Sequence, residues 1–193
     1  SYPAFARPNL MLTNHDLLRF GDLIHRAGFG YGTENPDYWA RHRAAFSFMA
    51  QYTGPVTLYY GDEIGEEVEG FIKNQDGGYY DDHVSRSQGR ISGFNANETA
   101  LKDYVSALWK FRSENPALWN GTRKNIAANT NIFADYKVSG SNKILYILNT
   151  STSQQNVTVL ASNIDSASTL TKVKIVSSDT TESLSPASGN FYI

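Results

Sequence analysis

Two short polar clusters carry the groups best placed to do chemistry. Asn14-His15-Asp16 sets a carboxylate beside an imidazole directly after the apolar run 9–13. A carboxylate next to an imidazole at a strand's end can stabilise a cationic transition state or bind a metal ion. Three consecutive polar residues are also what a turn closed by a local hydrogen bond looks like. The second cluster, Gly61-Asp62-Glu63, follows the β-branched and aromatic run 55–60 in the same way.

Other reactive residues read as ordinary surface or core. His25, His42 and His83 have no ligand spacing, so no metal site is expected from them. Asp81-Asp82 offers oxygens that Ca²⁺ accepts, but an acidic loop is more commonly just solvated. Tyr79-Tyr80, Phe94 and Trp119 can stack on sugars, although two or three of them are expected in the core. The absence of Cys excludes disulfides, thiolate catalysis and Cys-ligated zinc. Gly28-Phe29-Gly30-Tyr31-Gly32 is rich in glycine, but no strand runs into it and no helix starts at its end, as a phosphate-cradling loop requires. Four sequons, at Asn97, Asn120, Asn149 and Asn156, are the kind of match that in an Asn- and Thr-rich chain is mostly chance.

The elements that position the two clusters alternate. Residues 9–13 form a strand opened by Pro8. Asn35-Pro36 reads as an N-cap and first helical residue, and Ala45, Phe48, Met49 and Tyr52 recur at helical spacing. Gly54 ends that helix, and residues 55–60 form a second strand. A long Gly-rich, charged stretch follows. A second helix is predicted over 98–114, with Asn97 as N-cap and Leu101, Val105, Leu108 and Phe111 on one face. Strand–helix–strand–helix order with continuously apolar strands implies a parallel sheet. Both acidic clusters then lie on its C-terminal edge, where α/β folds keep their chemistry.

Near residue 121 the chain changes character. All three Trp, all four His and both Met precede that point, whereas Ser, Thr, Asn, Val and Ile dominate after it. Segments 132–138, 143–148, 156–160, 171–176 and 191–193 read as strands, the first two joined by Ser139-Gly140-Ser141-Asn142. Their spacing and turn residues predict an antiparallel sandwich over 121–193 with no helix longer than two turns. Across its 193 residues the chain has 17 basic and 19 acidic side chains, a net charge of −2 that argues against a nucleic-acid partner. No apolar run reaches the ~18 residues of a membrane span. Ser1-Tyr2-Pro3 does not open like a signal peptide, and the residues do not select among secreted, periplasmic and cytoplasmic locations.

The ordered set Leu12-Thr13-Asn14-His15-Asp16-Leu17-Leu18-Arg19, Gly54-Pro55-Val56-Thr57-Leu58-Tyr59-Tyr60-Gly61-Asp62-Glu63-Ile64-Gly65, the helix-closing Asn115-Pro116-Ala117-Leu118 and a trailing sandwich resembles the C-terminal part of the α-amylase family of glycoside hydrolases. The likeness is specific over 9–65, fair over 98–120 and architectural beyond 121. Residues 76–93 fall where relatives carry a variable insertion.

By this resemblance the fold is α/β plus all-β. Residues 1–120 carry the last two β/α units of a (β/α)₈ barrel, and 121–193 form a C-terminal β-sandwich. Asp16 matches the third acid of the family's catalytic trio, which stabilises the oxocarbenium-like transition state without attacking or transferring a proton. His15 matches its hydroxyl-binding partner, and Asn14 positions the loop. Arg19, Asp62 and Glu63 match structural positions near the site. The implied partner is an α-glucan oligo- or polysaccharide. No cofactor is expected of these residues; calcium would belong to the full-length parent. The family's nucleophile and acid/base follow barrel strands four and five, upstream of the Asn-His-Asp strand. A whole barrel needs about 250 residues. The chain is therefore expected to be a fragment, inactive alone, that self-associates or pairs with its missing N-terminal half. The rival reading is a non-catalytic carbohydrate-binding or packing domain centred on 121–193.

Overall fold

In a computed structural model the described residues are 3, 6–33, 35–68, 85–173, 175 and 182–193. Glu34, Tyr79-Tyr80, Asp81-Asp82 and His83 lie outside them. The chain packs as two compact units, Ser1–Trp109 and Lys110–Ile193.

In the first unit, β1 (Leu10–Met11) and β2 (Val56–Thr57) pair in parallel, Leu10 opposite Val56 and Met11 opposite Thr57. The ladder is shorter than the apolar runs 9–13 and 55–60 suggest. Among the described residues each of these strands has one hydrogen-bonded neighbour. Between them come α1 (Phe20–Ile24) and α2 (Asp37–Gln51). Asn35 caps α2: its Oδ1 accepts the Asp37 N–H at 2.9 Å, and its carbonyl accepts the Tyr38 N–H.

The buried face of α2 is not the stripe expected from Ala45, Phe48, Met49 and Tyr52. Tyr38, Trp39, His42, Phe46 and Met49 are buried, while Phe48 is exposed. The helix turns its largest aromatic side chains inward, and His42 joins them as a neutral ring. The T-shaped approach of Phe20 to His42 and of Phe46 to Trp109 fills this core.

α3 (Ala96–Glu114) buries Leu101, Val105 and Leu108, with Phe111 half-buried, as the spacing predicts. Its cap is Asn95, not Asn97. Asn95 Oδ1 accepts the Glu98 N–H at 2.9 Å, and Glu98 Oε2 accepts the Asn95 N–H at 2.8 Å. This reciprocal box satisfies two backbone donors, which Asn97, inside the first turn, could not do.

The second unit takes in the end of α3, then α4 (Pro116–Asn120) and the antiparallel sheet β3 (Thr122–Ala128), β4 (Ile132–Ser139) and β5 (Asn142–Asn149). Two antiparallel pairs complete it: β6 (Thr158–Leu160) with β9 (Asn190–Tyr192), and β7 (Leu170–Lys172) with β8 (Glu182–Leu184). Ile132, Tyr136, Val157, Val159, Ile164 and Phe191 form its buried core. Among the described residues after 121 the longest helical piece is the single turn Ala161–Ile164. Strands β3 and β8 were not apparent in the sequence. Thr122–Asn125 are all exposed, so β3 carries no alternation there to read. The polar side chains Asp135 and Lys137 of β4 are also buried: Asp135 is held by Arg123 and by Asn125 Nδ2, and Lys137 Nζ donates to the Leu118 carbonyl at 3.0 Å.

Candidate active site

The parallel pairing of β1 and β2 sets both acidic clusters at the same edge of the sheet. Past β1 the chain turns through Asn14-His15-Asp16. Asn14 Oδ1 accepts the Asp16 N–H at 2.8 Å, closing an Asx turn that fixes the backbone of the acid. The Asp16 carboxylate is half-exposed. Its Oδ2 lies 3.2 Å from His15 Nε2, and its Oδ1 lies 3.2 Å from Arg86 Nη2. The turn therefore presents a carboxylate and an imidazole to solvent, both accessible to a polyhydroxylated ligand.

Behind the turn sits a buried polar cluster. Thr13 Oγ1 donates to Asp62 Oδ1 at 2.6 Å, joining the segments that follow the two strands. Arg19 is fully buried. Its guanidinium donates to the Tyr60 carbonyl and to Ser87 Oγ, lies 3.6 Å from Asp62 Oδ1, and stands 4.7 Å from the ring centroids of both Tyr59 and Tyr60. Ser87 Oγ in turn donates to Glu66 Oε1. Burial pushes the Asp62 carboxyl up to about 6; Thr13 and Arg19 oppose the rise, and the neighbouring Glu63 adds to it. The turn itself depends on left-handed glycines at both ends, Gly61 at φ 87° and Gly65 at φ 65°.

Asp22 is buried one helical turn beyond Arg19 and accepts the Val68 N–H with both oxygens. Burial raises its pKa. Among the described residues no group of three or more His, Asp or Glu side chains could hold a metal ion, and no helix is long and apolar enough to cross a membrane.

The structure thus brings Asn14, His15 and Asp16 together on one exposed turn, and gathers Arg19 and Asp62, with Glu63 beside them, beneath it. Sequence reasoning missed Ser85, Arg86 and Ser87. Ser85 Oγ donates to the Asn14 carbonyl at 2.6 Å, and Arg86 Nε donates to the His15 carbonyl at 3.1 Å. Their partners lie about seventy positions away in the chain, a distance that no local pattern spans.

No family model matches the chain. A beta/alpha-amylase of Paenibacillus polymyxa is 27% identical over 165 residues, covering 85% of this chain and 12% of that protein. A cyclomaltodextrin glucanotransferase of Klebsiella oxytoca is 25% identical over 149 residues, covering 72% of this chain and 22% of that protein. Among solved structures, AmyP in complex with maltose superposes with a TM-score of 0.88 at 42% identity, covering all of this chain and 39% of AmyP. The α-amylase of Geobacillus thermoleovorans, complexed with acarbose, matches in fold with a TM-score of 0.72 at 14% identity. The chain spans less than half of each of these proteins. Its parallel pair with flanking helices and its antiparallel sheets match part of a (β/α)₈ barrel followed by a β-sandwich.

Proposed function

We propose that this chain, which falls within the α-amylase superfamily of glycoside hydrolases, is the C-terminal part of a retaining enzyme that cleaves α-glucosidic bonds in starch-type poly- and oligosaccharides. Residues 1–120 supply the last two β/α units of its barrel and 121–193 its β-sandwich. The observation that carries this reading is the Asp16 carboxylate, exposed on the turn after β1, paired with His15 and backed by a buried polar cluster.

In such an enzyme two further carboxylates, about 5–5.5 Å apart, break and re-form the bond to the anomeric carbon. The part assigned to this chain is electrostatic. Asp16 accepts hydrogen bonds from ring hydroxyls, and its negative charge gains on the substrate as positive charge develops at the sugar. His15 donates to a hydroxyl of the same sugar, and Asn14 holds the backbone through the Asx turn. Arg19, Asp62 and Glu63 are structural, since Arg19 and Asp62 are buried beneath the turn. AmyP has been crystallised with maltose, and an α-glucan is the substrate class we assign here.

A non-catalytic sugar-binding role for the sandwich has less support. Of its aromatic side chains Tyr136 and Phe191 are buried and Phe133 packs against Tyr146, which leaves Tyr192 as the exposed ring.

The test is Asp16→Asn in the enzyme expressed from its complete reading frame. We expect kcat on soluble starch to fall by about 10²–10³ or more, with an unchanged melting temperature. Near-normal turnover would remove Asp16 from catalysis.

A further inference from the structure

We infer that Arg86, with Ser85, is the positioning residue of the Asn14-His15-Asp16 turn: it sets the orientation of the Asp16 carboxylate on which turnover depends. This rests on the role proposed above for Asp16.

The geometry is a clamp made by two consecutive residues on three consecutive residues. Ser85 is fully buried, and its hydroxyl donates to the Asn14 carbonyl at 2.6 Å. Arg86 Nε donates to the His15 carbonyl at 3.1 Å, while Nη2 of the same guanidinium reaches Asp16 Oδ1 at 3.2 Å. The next residue, Ser87, accepts from Arg19 and donates to Glu66, which anchors the clamp on the buried cluster. Tyr60 adds a second anchor, its hydroxyl donating to the Ser87 carbonyl at 2.6 Å.

A planar guanidinium suits this task. One edge carries two donors at fixed separation, so it can tie a backbone carbonyl to a side-chain carboxylate and fix the angle between them. Asp16 Oδ2 meanwhile faces His15 Nε2. The carboxylate is thus held through both oxygens, and its rotation about the Cβ–Cγ bond is restrained before substrate arrives. Preorganisation of this kind lowers the barrier rather than tightening ground-state binding. A misplacement of about 1 Å can cost about a hundredfold in rate. The Arg86 side chain is itself half-exposed, so its loss should not unfold the unit.

The experiment uses the complete enzyme with Arg86→Ala, Arg86→Lys and Ser85→Ala, and Asp16→Asn alongside. We expect Arg86→Ala to lower kcat about 10- to 100-fold on maltooligosaccharides, with KM within about threefold and an unchanged melting temperature. Arg86→Lys keeps the charge but cannot bridge both acceptors, so its kcat should fall between wild type and alanine. Wild-type kcat in Arg86→Ala, a rise in KM alone, or a loss that tracks a lowered melting temperature would each overturn the inference. If Arg86→Ala does not fold, wild-type kcat in Arg86→Lys would overturn it and a lowered kcat would support it. A dead Asp16→Asn beside a normal Arg86→Ala would refute the clamp alone, whereas a normal Asp16→Asn would refute the functional reading beneath it.

Discussion

Thr13 and Asp62 bind the segments that follow the two parallel strands to each other: the Thr13 hydroxyl donates to Asp62 Oδ1 at 2.6 Å, with both residues buried. The same carboxylate faces the buried Arg19 guanidinium. Its pKa, pushed up to about 6 by burial, makes it a reporter of the sheet edge. The folded state holds the proton more tightly than the unfolded chain, whose carboxyl titrates near 3.8. The stabilising contribution is therefore full below the unfolded value and lost as pH rises through about 6. We expect Asp62→Asn to remove that dependence, so that the wild-type advantage over the variant shrinks by about 2–3 kcal/mol between pH 3.5 and 7. Urea unfolding across that range measures it, and parallel curves for the two proteins would contradict the assignment.

His42 should act in the opposite direction. Buried within α2, with Nδ1 3.0 Å from the Tyr38 carbonyl, it is pushed down to about 4 by desolvation. Here the unfolded chain binds the proton more readily. The stability is present above about 6.5 and is lost as pH falls through about 4. In the intact protein this loss on acidification offsets the gain from Asp62 over the shared window, so each contribution is read from the difference between wild type and the variant that removes it. His42→Gln should be destabilised at neutral pH yet lose less than wild type on acidification, by about 2–3 kcal/mol. Equal losses in the two proteins would show that His42 titrates normally.

A third expectation is steric. Gly21 lies in α1, where alanine would ordinarily favour the helix by about 1 kcal/mol. A Cβ there would come within 1.9 Å of the Tyr38 hydroxyl, which itself donates to the Gly65 carbonyl at 2.5 Å. Tyr38 is fully buried and cannot move aside cheaply. Gly21→Ala should therefore destabilise by about 1–3 kcal/mol. Adding Tyr38→Phe, which removes the clashing oxygen, should recover part of that loss. Strict additivity in the double-mutant cycle would count against the contact.

How much of the fold is legible in the sequence follows from the range of the interactions involved. The α2 and α3 helices announce themselves through spacing within a few turns. The parallel pairing of β1 with β2 was legible because two apolar runs separated by a helix leave few topologies. The face of α2 was misread because Phe48 and Tyr52 match an apolar stripe, while the buried set includes His42, which a hydrophobicity pattern discounts. The cap of α3 was placed two residues late because Asn95 and Asn97 both have the right chemistry, and the reciprocal bond with Glu98 selects between them. Asn14, His15 and Asp16 stood out as a contiguous cluster. Ser85 and Arg86 did not, because Ser and Arg are common surface residues and their meaning here is entirely tertiary.

The last expectation is that these 193 residues alone release no reducing ends from starch, maltooligosaccharides or an aryl α-glucoside. Asp16 stabilises charge in the role proposed for it; it neither attacks nor transfers a proton. Two more carboxylates would have to be recruited locally. Asp62 is buried, bonded to Thr13 and facing Arg19. Asp22 is buried and accepts the Val68 N–H. Glu66 accepts from Ser87 beneath the turn. Glu63 is half-buried and would supply one acid where two are needed. Asp16 is half-exposed, and the described residues do not wall it off from water in a way that would strengthen its field. The exposed apolar side chains of the same unit, among them Met11, Leu17 and Leu23, lead us to expect self-association, or pairing with the N-terminal half that the proposed function calls for. Sedimentation across a concentration series should reveal that association. Hydrolysis that co-purifies with the chain and vanishes in Asp16→Asn would prove the expectation wrong, and would mean that a complete site assembles between copies.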